Sequence, residues 1–193
     1  MRSKGANTYY RGAWWWYFCD GLNVPAEGTG TGDKAFNTMA GGRPGGIVCR
    51  DDNGTKLWYH YDRLGNVMCV SDDDGNAEEL YTMDAFGNLL EIGDGSDGYD
   101  AQAGSTSQPY LLTTKEYDAD AGLYHFNARW YDSGIGRWIS REPTGADGPN
   151  LYHYGFNSAP NGLDRDGRGW DWAKAKDWIT MQMELAGAGQ RYS

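Results

Sequence analysis

The segment Gly122–Gly167 reads GLYHFNARWYDSGIGRWISREPTGADGPNLYHYGFNSAPNGLDRDG, and short aromatic runs alternate in it with turn-forming residues. Residues 123–131 alternate in the period-two pattern of a β-strand. The shorter runs 137–140 and 151–154 predict two more strands, because Asp, Ser, Gly and Pro separate the runs and favour turns. The segment therefore predicts a group of short strands joined by tight turns.

Two parts of this segment, GLYHFNARWYDSGIGRWISREP and NLYHYGFNSAPNGLDRDG, resemble the RHS-repeat-associated core domain, which is the C-terminal region of RHS/YD-repeat proteins. The resemblance covers about a quarter of the chain with high specificity, and weaker YD-type repeats extend it over Leu57–Gly167. It implies a mainly β fold. We expect a curved antiparallel sheet of YD-type hairpin repeats, part of an RHS β-shell, capped by the core domain and followed by a short C-terminal helix.

The repeats themselves are visible before the core segment. Trp58–Asp62 runs into Gly65-Asn66, and Tyr81–Asp84 runs into Gly87-Asn88, a step of 22 residues in each case. A fixed short period is typical of a repeat array, and Gly-Asn between two strand-like runs predicts a hairpin turn. Stacked hairpins of this kind are expected to form one continuous sheet, in which the tyrosine-rich segments Tyr59–Tyr61, Tyr81–Met83 and Tyr124–Tyr131 pair edge to edge. Three or so units cannot enclose much, so we expect the chain to be a C-terminal piece of a longer ancestor.

Four regions are predicted along the chain. The tail is predicted to be helical because Trp178 and Leu185 are seven residues apart and share a helix face. Gly28–Gly46 is predicted to be a flexible loop, since GTGTGDK lacks the spacing of a phosphate-binding loop. The regions are 1–56, a Gly/aromatic-rich repeat segment; 57–115, YD-type repeats with a loop insertion at 93–109; 116–167, the core domain; and 168–193, a variable C-terminal tail.

Composition excludes several functions. The net charge of −10 and the isoelectric point near 4.6 argue against a nucleic-acid-binding surface. Trp14–Phe18 is too short to span a membrane, and no signal peptide follows the N-terminus; secretion or a cell-surface location is implied by the resemblance alone. Cys19, Cys49 and Cys69 lack zinc spacing, and three buried thiols are favoured over a disulfide with one free thiol. No motif predicts a cofactor or a metal ion.

The resemblance also implies a catalytic activity. In insecticidal RHS-type toxins the core domain is similar to an aspartyl autoprotease, and its catalytic pattern falls on Arg129, Glu142 and Asp164, with cleavage at Arg168. Two neighbouring carboxyl groups share a proton, since both cannot ionise at short range. One can then activate water while the other protonates the substrate. The alternative is a structural ion network formed by the same three residues.

This sequence departs from the family pattern at three positions: Glu142 replaces Asp, Arg165 replaces Pro, and Arg168 replaces Leu at the cleavage site. A displacement of about 1 Å can slow a reaction on the order of a hundredfold. The departures therefore bear directly on whether cleavage occurs.

Three functions follow from these patterns. The first is a structural shell or cap module linked to toxin encapsulation, secretion or cell-surface interaction, whose partner is its own C-terminal segment or the remainder of a longer RHS protein. The second is the autoprotease, which would cleave after the DRDG motif and release the tail. The third is a carbohydrate-binding surface for cell-surface glycans, suggested by nine Trp and fourteen Tyr.

Overall fold

The computed structural model describes residues 10–11, 13–20, 23–29, 34–39, 46–93, 108–145, 149–157, 159 and 164–169. Over these ranges the protein is mainly antiparallel β, with two 3₁₀ helices of three residues each, at Leu112–Thr114 and Gly155–Asn157. The predicted fold class is confirmed. The predicted C-terminal helix and most of the predicted loop insertion lie outside the described residues.

The larger sheet has nine strands, each hydrogen-bonded antiparallel to the next in chain order. This order is that of consecutive hairpins. The strands are β1 Tyr10–Arg11, β2 Ala13–Asp20, β3 Asn23–Thr29, β4 Lys34–Met39, β5 Ile47–Asp52, β6 Thr55–Tyr61, β7 Val67–Ser71, β8 Ala77–Met83 and β9 Leu89–Gly93.

The hairpin turns have the predicted strand, Gly-Asn turn, strand organisation. At the first turn Asp62 Oδ1 accepts the N–H groups of Leu64 (2.8 Å) and Asn66 (2.9 Å). Asp72 and Asp84 make the equivalent bonds in their own turns. The glycine of each turn is left-handed, a conformation in which a side chain is strained, so the Asp and Gly together fix the reversal. The step of 22 residues spans two such turns.

One prediction for the N-terminal region is wrong. Lys34–Met39, part of the predicted flexible loop, forms β4 and pairs with both β3 and β5. Ala35 and Asn37 are buried there while Phe36 and Thr38 are exposed, and Asn37 Nδ2 donates to Val24 O at 2.7 Å. The stabilisation from packing one face of β4 outweighs the backbone flexibility of the surrounding glycines.

The core segment forms a second, separate sheet of four strands: β10 Glu116–Asp118, β11 Leu123–His125, β12 Trp130–Asp132 and β13 Arg137–Trp138. Two predictions are therefore wrong. The tyrosine-rich segments do not all join one sheet, and residues 123–131 do not form one strand.

The chain reverses within that run at residues 126–129. Phe126 N–H donates to Arg129 O at 2.9 Å, and Asn127 between them is left-handed at φ 61°. Asn tolerates this conformation better than most residues. The predicted strand at 151–154 is also wrong, because only an isolated bridge between His153 and Arg137 forms there.

The small sheet and the segment 108–115 cover one face of the large sheet. Tyrosine hydroxyls connect the two layers: Tyr124 donates to Gly87 O at 2.9 Å and Tyr131 donates to Phe86 O at 2.8 Å. One hydrophobic cluster spans both layers. Its buried members are Ile47, Leu57, Tyr59, Val67, Val70, Tyr81, Tyr110, Leu111, Leu112, Tyr124, Phe126, Tyr131, Trp138, Tyr154 and Ala159.

The cysteines agree with the prediction in part. Cys49 is a buried free thiol, whereas Cys69 is a half-buried free thiol, so the prediction of full burial was wrong for Cys69; the Cys19 side chain lies outside the described residues.

Within the described ranges no helix is long and apolar enough to cross a membrane. In the same ranges no group of His, Cys, Asp and Glu side chains is arranged to hold a metal ion.

Candidate functional site

Arg129 and Asp164, both predicted site residues, form a buried ion pair. The Arg129 guanidinium donates to Asp164 Oδ2 at 2.9 Å, and each side chain is 2% exposed. The guanidinium also donates to Gly167 O and lies over the Trp138 ring, 3.8 Å from its centroid. The turn after β11 and the loop 164–169 are thereby joined, although 35 residues separate the ion-paired residues in sequence.

Asp164 is the centre of the loop 164–169. Its Oδ1 accepts the N–H groups of Gly167 (2.8 Å) and Asp166 (3.2 Å), and its Oδ2 accepts the N–H of Gly169 (3.1 Å). Burial raises the pKa of the Asp164 carboxyl from its ordinary 3.8 to about 6, while Arg129 and the N–H groups of Gly167 and Asp166 act in the opposite direction. A carboxyl pKa raised toward neutrality suits a general acid or base.

Gly167 allows the close approach of this loop to the turn 126–129. It is left-handed at φ 75°, and a Cβ at this position would lie 2.6 Å from Phe126 O and 3.0 Å from Arg129 N. Any side chain would push the loop away from the ion pair. The glycine of the DRDG motif is thus required by contact with backbone atoms.

Glu142 is the third predicted site residue, and it is 3% exposed. Its Oε1 accepts the N–H of Thr144 at 2.8 Å and the Thr144 hydroxyl at 2.7 Å. The Thr144 Oγ1 also lies 3.4 Å from the carbonyl oxygen of Arg168. The structure therefore brings Arg129 and Asp164 into direct contact and links Glu142 to the predicted cleavage position through Thr144.

The peptide bond between Arg168 and Gly169 is contacted from both sides. Its carbonyl oxygen faces Thr144, which contacts Glu142, and its N–H donates to Asp164. Arg168 itself is exposed, and its side chain lies 3.8 Å from Asp166. Asp164 thus contacts the N–H end of this peptide unit directly, and Glu142 is linked to its carbonyl end through Thr144.

Sequence reasoning missed Thr144 and Lys115. No pattern marks Thr144, since its role depends on the return of the chain at Arg168, 24 residues later. Lys115 is 5% exposed, and burial lowers the pKa of its amine from 10.5 to about 8, against the opposing effect of Asp164 and Asp166. Its ammonium lies 5.6 Å from the centroid of the Phe126 ring.

A second buried polar group was also missed. Arg50 of β5 forms an ion pair with Glu27 of β3, and Tyr110 donates its hydroxyl to Glu27 Oε2 at 2.8 Å. Both ion-paired side chains are 3% exposed. This group holds the segment 108–115 on the large sheet, and no local sequence signal links residues so far apart.

Comparison with known proteins finds similar sequences among bacterial RHS-type toxins. The chain is 33% identical over 163 residues to the tRNA3(Ser)-specific nuclease WapA of Bacillus spizizenii, a match that covers 81% of this chain and 7% of WapA. It is 31% identical over 104 residues to double-stranded DNA deaminase toxin A of Burkholderia cenocepacia, covering 53% of this chain and 7% of that protein. These relatives are RHS-type toxin proteins. The chain spans only a small part of each of them.

Solved structures support the fold. The chain superposes on the crystal structure of TcdB2-TccC3-Cdc42 with a TM-score of 0.61 and 21% sequence identity, over 84% of this chain and 8% of that one. No family model matches the sequence. The comparisons therefore support the resemblance at the level of RHS-type toxin proteins.

The names of the relatives conflict with one expectation. WapA is named as a tRNA nuclease and toxin A as a DNA deaminase, whereas the acidic composition of this chain predicted no nucleic-acid partner. The glycan-binding hypothesis stays a prediction. Seven Tyr and Trp side chains of the described residues that could have formed such a surface are instead buried in the core: Tyr59, Tyr81, Tyr110, Tyr124, Tyr131, Trp138 and Tyr154.

Proposed function

We propose that this chain is the C-terminal structural module of an RHS shell, in which residues 116–167 act as the RHS-repeat-associated core domain and cap the repeats of 1–56 and 57–115. The observation that carries this proposal is the layering of the two sheets. The small sheet packs its tyrosines against one face of the hairpin array and donates hydroxyls to the turn at Phe86 and Gly87. A capped shell needs a covered sheet face, and strands added at a sheet edge would extend such a shell.

Two further features support the cap. The buried group of Glu27, Arg50 and Tyr110 ties the segment 108–115 to strands β3 and β5 of the large sheet. Register shifts bend and twist antiparallel strands. They occur in the pairings β2–β3, β4–β5, β6–β7, β7–β8 and β8–β9, which suits a sheet that curls.

The proposed partners are the remainder of a longer RHS protein, paired with the β1 edge, and the chain's own tail, 168–193. The activities on tRNA and DNA in the names of the relatives would belong to regions that this chain does not match. The net charge of −10 supports that division, because phosphate backbones are bound by cationic surfaces.

Electron cryomicroscopy of the complete gene product tests the shell. We expect further antiparallel strands to continue the sheet beyond β1, with the small sheet on the enclosed face. A β1 edge that lies in solvent, or a small sheet on the outer face, would contradict the proposal.

Autoproteolysis between Arg168 and Gly169 is a second candidate, favoured by the placement of Asp164 and Glu142 at the two ends of that peptide unit. Water adds to the Arg168 carbonyl carbon as Asp164 takes one of its protons. Glu142 lends a proton to the carbonyl oxygen, and Asp164 passes its proton to the Gly169 nitrogen as the C–N bond breaks. The products are the Arg168 carboxyl group and the Gly169 amine.

Asp164→Asn and Glu142→Gln should each slow this cleavage by about 100-fold or more, since each removes a proton donor or acceptor. Intact-mass spectrometry of the purified chain should show loss of the 25-residue peptide that begins at Gly169. Asp120→Asn, at an exposed turn, is the matched control and should cleave like the wild type. A wild-type chain that stays intact from pH 4 to 8 would refute autoproteolysis and leave the shell proposal standing.

A further inference from the structure

We propose that Thr144 is a catalytic residue of this site: its hydroxyl relays a proton between Glu142 and the Arg168 carbonyl oxygen. The inference rests on the proposed cleavage between Arg168 and Gly169 and adds a residue that the sequence pattern does not mark.

The geometry of the hydroxyl carries the proposal. Thr144 Oγ1 lies 2.7 Å from Glu142 Oε1 and 3.4 Å from Arg168 O, and both atoms are oxygens of carbonyl or carboxyl groups. A threonine hydroxyl has one hydrogen to donate and two lone pairs that accept. In the structure the hydroxyl donates to Glu142 Oε1. When Glu142 holds a proton, the same hydroxyl can accept from the acid and donate its own hydrogen to the Arg168 oxygen.

Glu142 and Thr144 are held in this arrangement by the backbone. The Thr144 N–H donates to the same Glu142 oxygen at 2.8 Å, and the Glu142 N–H donates to Leu151 O at 3.0 Å. The Glu142 side chain is buried, while Thr144 is exposed and faces the loop that carries Arg168. A buried acid thus reaches the exposed peptide through a hydroxyl whose position is fixed by its own main chain.

The relay balances in each direction. As water adds to the carbonyl carbon, the proton on Glu142 moves to Thr144 Oγ1 and the Oγ1 hydrogen moves to the Arg168 oxygen, which neutralises the charge developing there. When the C–N bond breaks, the same two protons return and the carboxylic acid of Glu142 is restored. Thr144 is unchanged, and no electrons are gained or lost.

The variants Thr144→Val and Thr144→Ser test the relay, because valine keeps the shape and lacks the hydroxyl while serine keeps the hydroxyl. We expect Thr144→Val to release the peptide 169–193 about 100-fold more slowly than wild type, and Thr144→Ser to remain within about threefold. Thr144→Ala runs in parallel, so that slow cleavage is seen with two different replacements. Urea midpoints of all variants show that the chain is folded under the assay conditions.

Coupling to Glu142 separates the relay from a structural effect. If the proton passes through Thr144, Glu142→Gln combined with Thr144→Val should be no slower than the slower single variant, since both remove one pathway. Multiplicative losses, or Thr144→Val cleaving at the wild-type rate, would overturn the relay while leaving autoproteolysis intact. An uncleaved wild type would overturn both.

Discussion

Arg129→Met is expected to lower the free energy of unfolding by about 3–5 kcal/mol, because it leaves a buried carboxylate without its cation. Asp164 and Arg129 are each 2% exposed, and the guanidinium also contacts Gly167 O and the Trp138 ring. Met preserves much of the stem packing, so the loss reports mainly on charge and hydrogen bonds. Urea denaturation at pH 7.5 measures it.

The deficit of Arg129→Met should shrink on acidification. Burial raises the Asp164 pKa and Arg129 opposes that rise, so removal of the cation raises the pKa further. A folded chain that holds a proton more tightly than the unfolded chain gains stability as pH falls. We therefore expect a smaller deficit at pH 5 than at pH 7.5. Arg141→Met, at an exposed position, is the control and should change stability little at either pH. An equal loss for both variants would contradict a special role for the ion pair.

Tyr131→Ala is expected to lower the free energy of unfolding by about 3–5 kcal/mol, the range for truncating large buried side chains. Tyr131 is 0% exposed and packs against Tyr124, Phe126, Trp138 and Tyr154. It also links the layers through its bond to Phe86 O. Tyr131→Phe keeps the ring, so it should cost only about 1 kcal/mol for the lost hydrogen bond. Equal losses for the two variants, measured by urea denaturation, would contradict the packing account.

The hairpin array could be predicted from the sequence because its determinants are local. Each turn needs an Asp that accepts nearby N–H groups and a Gly that is left-handed, and both are visible in the Gly-Asn motifs near residues 65 and 87. The alternation in β6, where Leu57 and Tyr59 are buried and Trp58 is exposed, is also a local pattern.

The split of residues 123–131 into two strands could not be predicted, because a single left-handed residue, Asn127, decides it. Asn127 reverses the chain between β11 and β12, yet the residues around it alternate as they would in one continuous strand. The β4 strand was missed for the opposite reason. Its glycine-rich flanks suggested a loop, and only pairing with β3 and β5 makes the strand stable.

The candidate site was found by resemblance, since its residues are far apart in sequence. Arg129 and Asp164 form an ion pair, whereas Glu142 reaches the predicted cleavage position through Thr144. Thr144 and Lys115 carry no sequence signal because their environments are created by segments that fold back from elsewhere. Burial by distant segments raises the pKa of Asp164 and lowers that of Lys115. The residues next to them in sequence do not reveal this burial.

Native-state hydrogen exchange of the Val67 amide tests the union of the two layers most directly. This N–H belongs to the large sheet but donates to Leu111 O of the covering segment at 3.0 Å. If the small sheet and the array form one cooperative unit, Tyr131→Ala should speed exchange at Val67 and Val70 by the factor that matches its loss of global stability. Faster exchange confined to β10–β13, with Val67 and Val70 protected as in the wild type, would contradict the account.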